Sequence, residues 1–165
     1  MPFCSGYCSH TLLGNLVVQG SINTSHVKNI TKGSVTKMNV ITNNPMVQEK
    51  IENLCSICFV EGAYGAVLDQ VKQQIVNDHV CLLSHPLSGS IKPNETYYKT
   101  IFVTETTSQY IDIESLEYIE SAIAVYEKFI KNKQRPDWSL AVLKDFAFVD
   151  FYIAQSTLER IGVKR

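Results

Sequence analysis

From Asn39 onward the apolar positions fall into short blocks that alternate with stretches of helical spacing. Asn39-Val40-Ile41-Thr42 reads as a strand, and Asn43-Asn44-Pro45 stops it and starts a helix. Asn44 suits the N-cap, because its side chain can accept from a free backbone N–H, and Pro45 suits the first helical position, where no N–H is needed. That helix runs on through Met46, Val47, Ile51 and Leu54, which make one face. Ser56-Ile57-Cys58-Phe59-Val60 is a second strand, closed by Glu61-Gly62. Residues 63–77 form a second amphipathic helix whose Val67, Leu68, Val71 and Ile75 face the core. His79-Val80-Cys81-Leu82-Leu83 is a third strand, and Lys99-Thr100-Ile101-Phe102-Val103-Thr104, rich in β-branched and aromatic residues, a fourth.

Two long helices follow. The first opens at Asp112 or Ile113 and repeats Ile113, Leu116, Ile119, Ile123, Tyr126, Phe129 and Ile130 at three- and four-residue steps, until 132–137 ends it with Pro136. In the second, from Trp138 to about Glu159, Leu140, Val142, Leu143, Phe146, Phe148, Val149, Phe151, Tyr152 and Ile153 cover nearly the whole circumference. Such a helix is buried on all sides, either deep against the sheet or against a second copy of the protein. Asp145 and Asp150 interrupt it, and they mark its solvent edge or bond the functional site; the pattern does not choose.

The β-α-β-α-β order implies a parallel sheet with helices on its faces. The expected fold is α/β: a Rossmann-like three-layer α/β/α sandwich with a mostly parallel sheet of about four strands and two long C-terminal helices. Parallel strands place Asn43-Asn44, Gly62 and the segment after Leu83 at one sheet edge, where open parallel sheets bind their ligands. Residues 1–37 differ from the rest, being Ser, Thr, Gly, Asn and His without periodicity apart from Leu12-Leu13 and Leu16-Val17-Val18. They are expected to be a poorly ordered extension to a single domain over 38–165. Met38 stands immediately before the first strand, so this extension is also a candidate for sequence upstream of the natural start.

Composition narrows the classes. At 45% hydrophobic and 19% charged, the 165 residues suffice for one ordinary soluble core. A formal charge of -1 recommends neither nucleic acid nor an anionic membrane. No apolar run approaches the roughly 20 residues of a membrane span, and the absence of a signal-peptide pattern makes the cytoplasm the expected compartment. Five cysteines at irregular spacing do not describe a disulfide framework.

The chemistry is crowded into Ser84-His85-Pro86-Leu87-Ser88-Gly89-Ser90-Ile91-Lys92-Pro93-Asn94-Glu95-Thr96, a composition that favours a loop. His85 offers a general base, a metal ligand or a hydrogen-bond donor, or else it caps the loop by bonding its own backbone. Ser88, Gly89 and Ser90 offer hydroxyls and backbone N–H groups to an anion, with Lys92 supplying charge, although Ser-Gly-Ser is also ordinary turn composition. Glu95 offers a carboxylate to His85 or to an amine, and Asn94 a further amide. Asn43 and Asn44, where a strand meets a helix N-terminus, add polar recognition beyond what capping requires.

Val40-Ile41-Thr42-Asn43-Asn44-Pro45, followed after two β-α units by the run from His85 to Thr96, resembles the GrdX family over about residues 38–160. The His-Pro loop is the more specific element. The resemblance implies a small cytoplasmic accessory protein associated with the glycine, sarcosine and betaine reductase operons of amino-acid-fermenting anaerobes, near selenoprotein reductases that release acetyl phosphate. It carries no catalytic residue across.

Other chemistries have weaker support. A Ser–His hydrolase built from Ser88 or Ser90 and His85 lacks a Gly-x-Ser-x-Gly elbow. Gly62 and Gly65 do not make a dinucleotide fingerprint, so no nicotinamide or flavin cofactor is expected. Cys55 and Cys58 straddle the start of a strand rather than a helix and should point to opposite faces, as inert core residues. His79, Cys81 and His85 lack structural-zinc spacing, so no metal is expected. Three functions remain open: binding of a small anionic or zwitterionic ligand at the strand-end cleft, docking of the loop on a reductase component with a homodimer through the last helix, and an enzyme acting on an acyl or phosphoryl compound.

Overall fold

A computed structural model describes residues 37–89, 91–105, 107–133 and 135–161. The expected extension over 1–37 lies, but for Lys37, outside the described residues, as does Ser90. The elements run β1 (Met38–Thr42), α1 (Pro45–Ile51), β2 (Ser56–Phe59), α2 (Tyr64–Asn77), β3 (Thr100–Thr104), α3 (Ile113–Asn132) and α4 (Leu140–Ile161). The caps explain the boundaries. Asn44 accepts from Met46 N with Pro45 behind it, and Asp112 accepts from Ser115 N at the head of α3.

The sheet order is β2-β1-β3. β1 pairs parallel with β2, in the register Val40 opposite Ile57, and antiparallel with β3, in the register Val40 opposite Phe102. The expectation of about four mostly parallel strands is therefore corrected to a three-stranded mixed sheet. The segment expected as a third strand, 79–83, lies beyond β3 and forms a single antiparallel bridge, Leu82 to Val103. Its ladder is cut short because side chains occupy the bonding positions. Cys81 N donates to Thr104 Oγ1 at 3.0 Å and Phe102 N to Ser84 Oγ at 3.0 Å, while Leu82 N, directed away from β3, donates to Ser115 Oγ at 2.8 Å. His79, at φ 53°, adds a left-handed residue at its start.

Reversal of β3 preserves what matters for the site. A segment antiparallel to β3 runs in the direction of β1 and β2, so their three carboxyl ends still share one edge. The amino end of β3 joins them there.

Alternation along the strands divides the core in two. Ile41, Ile101 and Val103 face one layer with Val67, Leu68, Val71 and Ile75 of α2 and Ile119 and Ala122 of α3. Met38, Val40 and Phe102 face the other with Val47 and Ile51 of α1 and Phe151, Ala154 and Leu158 of α4. Cys58 packs against the first cluster and Cys55 against the second, on opposite faces as their spacing implies. Only one stripe of α4 is buried: Ala147, Asp150, Phe151, Ala154 and Leu158, with Phe148 and Tyr152 each about half exposed. No helix among the described residues is long and apolar enough to cross a membrane.

Phe102, 1% exposed, packs with Phe151 of α4 in the layer between sheet and helix. Phe102→Ala should cost about 3–5 kcal/mol in urea unfolding. A loss below about 1 kcal/mol would mean that α4 does not seal this side of the sheet.

Candidate functional site

The shared edge is tied together by two asparagines. Asn43 Nδ2 donates to the carbonyls of Gly62, at 2.8 Å, and Tyr97, at 2.9 Å, while its Oδ1 accepts from Lys99 N at 2.8 Å. Every polar position of that amide group but one lone pair is thus directed at backbone. The effect is to clamp the turn after β2 and the approach to β3 onto the end of β1. Asn44 Nδ2 donates to the Ala147 carbonyl at 2.8 Å and to Asp150 Oδ2 at 2.9 Å, which fastens α4 to the same corner.

Asp150 is 7% exposed and sits under the sheet edge. Its Oδ1 accepts from Thr100 N at 3.1 Å, and its Oδ2 accepts from Thr100 Oγ1 at 2.7 Å as well as from Asn44. Thr42 Oγ1 lies 2.8 Å from Thr100 Oγ1, whose own proton goes to Asp150, so Thr42 donates. Burial raises the Asp150 carboxyl above the usual carboxylate range, against the opposing pull of Asn44, Thr100 and Lys99. Asp145, by contrast, is exposed. Of the two acids interrupting the last helix, the inner one bonds the strand edge.

Lys99 is the other buried charge, 3% exposed. Its Nζ donates to the Ser88 carbonyl at 2.8 Å and Ser88 Oγ at 3.0 Å, and lies 5.8 Å from the centre of the Tyr64 ring. Burial pulls its ammonium down to about 8, with Asp150 acting in the other direction. Tyr64 in turn donates to the Pro86 carbonyl at 3.0 Å and stacks on Tyr126, the two rings 5.7 Å apart and 9° from parallel. Burial, with the charge of Asp150, raises its phenol. Gly65 has no side chain because the Tyr126 ring fills the space: a Cβ there would stand 2.6 Å from the ring. This is the physical role of a glycine that sequence spacing alone places beside a dinucleotide turn.

Lys99, Asp150, Tyr64, Ser88, Thr96 and Tyr98, with Ile91 and Ile153, enclose a chamber of about 10 Å³, room for a single water. Ser88 and Ile153 also line an open groove of about 450 Å³ on the outside, together with Gly89, Phe148, Val149, Tyr152, Ser156, Thr157 and Arg160. The groove is the larger space, but the charged and hydroxyl groups converge in the chamber. Gly89, at φ +103°, leaves its missing Cβ position 2.7 Å from Ile153 Cδ1, so any other residue there would push on the wall between the two.

The remaining loop residues lie differently. His85 is exposed, its Nδ1 accepts from Leu87 N at 3.1 Å, and its ring meets Tyr118 edge-on at 5.5 Å. Lys92 pairs with Glu95 at 3.6 Å on the surface. Glu95 also accepts, through its carbonyl, from Trp138 Nε1 at 2.7 Å. Asn94 is buried and donates to the Lys133 carbonyl at 3.3 Å. The structure thus brings Asn43, Asn44 and Ser88 together with Lys99, Asp150 and Tyr64, and leaves His85 and Lys92 on the outer surface. Lys99 and Tyr64 gave no signal in sequence. Asp150 gave one, as an acid within an apolar helix.

A family model described as GrdX-like protein matches residues 39–159. No curated protein and no solved structure matches the chain.

The buried ammonium has a thermodynamic signature. An unfolded lysine holds its proton to about pH 10.4, whereas Lys99 releases it near 8, so between these values the unfolded chain binds more protons and stability rises with pH. Wild type should gain roughly 2 kcal/mol from pH 8 to 10 relative to Lys99→Met, measured by denaturant titration of both proteins. Parallel pH profiles would show that Lys99 is solvated.

Proposed function

The chain belongs to the GrdX-like protein family, and on that premise we propose that it is an accessory protein of a glycine-reductase-type system that binds a small anionic or zwitterionic compound at the Lys99 chamber. The carrying observation is a buried lysine whose Nζ donates to neutral oxygens of one loop residue, Ser88, at the edge where three chain segments end. The chamber takes one group of such a compound, and the remainder lies toward the outer groove that shares Ser88 and Ile153 with it. An incoming carboxylate or phosphoryl oxygen would compensate that charge more fully than Ser88 does, since it brings an opposite charge to the ammonium where Ser88 offers only neutral oxygens. Ser88 and Ile153 form the wall between groove and chamber, Thr96 and Tyr98 add polar lining, and Asn43 and Asn44 hold the frame.

Calorimetric titration with acetate, glycine, inorganic phosphate and acetyl phosphate, beside native mass measurement of freshly purified protein, tests this reading. At least one probe or co-purifying compound should bind, and Lys99→Met should weaken it tenfold or more. A folded His85→Ala, Lys92→Ala variant should bind as wild type does. Loss of binding in that variant alone would move the site to the outer surface of the loop, and silence from every probe with a bare native mass would remove the ligand reading.

A second reading rests on the exposed side of α4. Phe148 and Tyr152, their rings 4.5 Å apart, lie with Val149 on an uncovered apolar surface of the kind that docks a protein, whether a reductase component or a second copy. If it is a homodimer face, the native mass is twice that of one chain and Phe148→Glu, Tyr152→Glu restores the monomer. A monomeric wild type leaves only a different protein as occupant.

A further inference from the structure

Resting on the reading of the Lys99 chamber as a binding site, we propose that Lys99 is a nucleophilic amine that condenses with a small aldehyde acid or 2-oxo acid to form an imine. A free-base amine has two hydrogens and one lone pair. The two hydrogen bonds of Nζ both go to Ser88, at 2.8 Å to the carbonyl and 3.0 Å to Oγ, which directs both hydrogens to one residue. The lone pair takes the remaining tetrahedral position, and Lys99 lines the chamber.

Burial supports the same state. With its ammonium at about 8, about a tenth of Lys99 is free base at pH 7, against a few parts in ten thousand for an exposed lysine. The groups facing it are Asp150 from α4, which favours the proton, Tyr64 from α2, itself held protonated by burial, and Tyr98 and Ser88 from the loops. Desolvation of a lysine amine in such surroundings is a general route to a carbonyl-reactive nucleophile.

Size and charge define the partner. A chamber of about 10 Å³ accepts a carbonyl carbon and little more. The rest of the molecule must lie toward Ser88 and Ile153, the residues the chamber shares with the outer groove. Arg160 is the cationic side chain of that groove and suits a carboxylate. A one- or two-carbon carbonyl group carrying an acid meets both limits.

In the reaction the Nζ lone pair adds to the carbonyl carbon and the carbonyl π electrons move to oxygen. The proton leaving nitrogen passes by way of Ser88 Oγ, 3.0 Å away, to that oxygen and gives a carbinolamine. Transfer of the second nitrogen proton to the departing hydroxyl releases it as water, while the nitrogen lone pair forms the C=N bond and returns the carbonyl carbon to sp² geometry. No electrons are gained or lost.

The test treats the full chain with glyoxylate and sodium cyanoborohydride, whose hydride reduces the imine to a stable secondary amine, and locates the product by intact mass and peptide mapping. One carboxymethyl group should appear on Lys99 at least tenfold faster at pH 7 than on any exposed lysine, with a rate that levels off above pH about 8. Lys99→Met, shown to be folded by circular dichroism, should lose this fast phase. Labelling spread over exposed lysines with Lys99 no faster overturns the proposal. Acetate, which has no aldehyde or ketone carbonyl to condense, separates the two readings: acetate binding without Lys99 labelling overturns the imine alone, whereas failure of labelling together with silence from all four probes and a bare native mass overturns the binding site beneath it.

Discussion

The corner around Asp150 is the constraint on which the rest of the molecule depends. One carboxylate from α4 accepts from the backbone and hydroxyl of Thr100, at the start of β3, and from Asn44, between β1 and α1. Thr42 and Thr100 extend it as a chain of hydroxyls that polarise one another in the same direction. A buried carboxylate is expensive unless its lone pairs are satisfied, so this network has few alternative geometries. It fixes how far α4 lies from the sheet edge. It also determines where the reversed strand begins.

Lys99 is positioned by the same arrangement. Its backbone N–H is held by Asn43 and its neighbour Thr100 by Asp150, so the side chain leaves the sheet edge between α2 and the 84–96 loop. There it meets Ser88 and the face of Tyr64 rather than water. Burial shifts the two charges in opposite directions, the acid upward and the amine downward, while their mutual attraction opposes both shifts. Two buried ionisable groups moved toward neutrality at a strand-end chamber are the physical basis for treating this corner as a working site. The uncovered side of α4 is a separate surface, linked to the chamber through the wall formed by Ser88 and Ile153.

Much of the architecture was legible in sequence. Asn44-Pro45 and Asp112 marked helix starts by chemistry that acts over three residues, and the periodicity of Val67, Leu68, Val71 and Ile75 marked a helix face that is indeed buried. The convergence of Asn43, Gly62 and the His-Pro loop follows from the parallel strand direction that a β-α-β order implies, and the Asn43 to Gly62 bond realises part of it. The apolar pattern of the final helix implies burial on all sides, against the sheet or against a second copy, and within one chain only one stripe of it meets the core. Hydrophobicity records what a surface can bury against, not whether a partner is present.

By itself, then, the sequence determined the four helices, three of the four expected strands, their order, the edge where they meet and the family, because capping, periodicity and local turn chemistry are short-range effects. Only the tertiary structure decided that β3 enters antiparallel between β1 and the 79–83 segment, since strand direction is settled by which edge can bury Phe102 and satisfy Thr100 at once. It alone also decided that Lys99, not Lys92, is the buried cation, and that Asp150, not Asp145, is the buried acid. Residues 51 positions apart in the chain share one chamber there, and their solvation depends on walls contributed by α2, α4 and the loop. Solvation of that kind has no local signature, because Tyr64, Asp150 and Ile153, which help to exclude water from Lys99, come from distant parts of the chain.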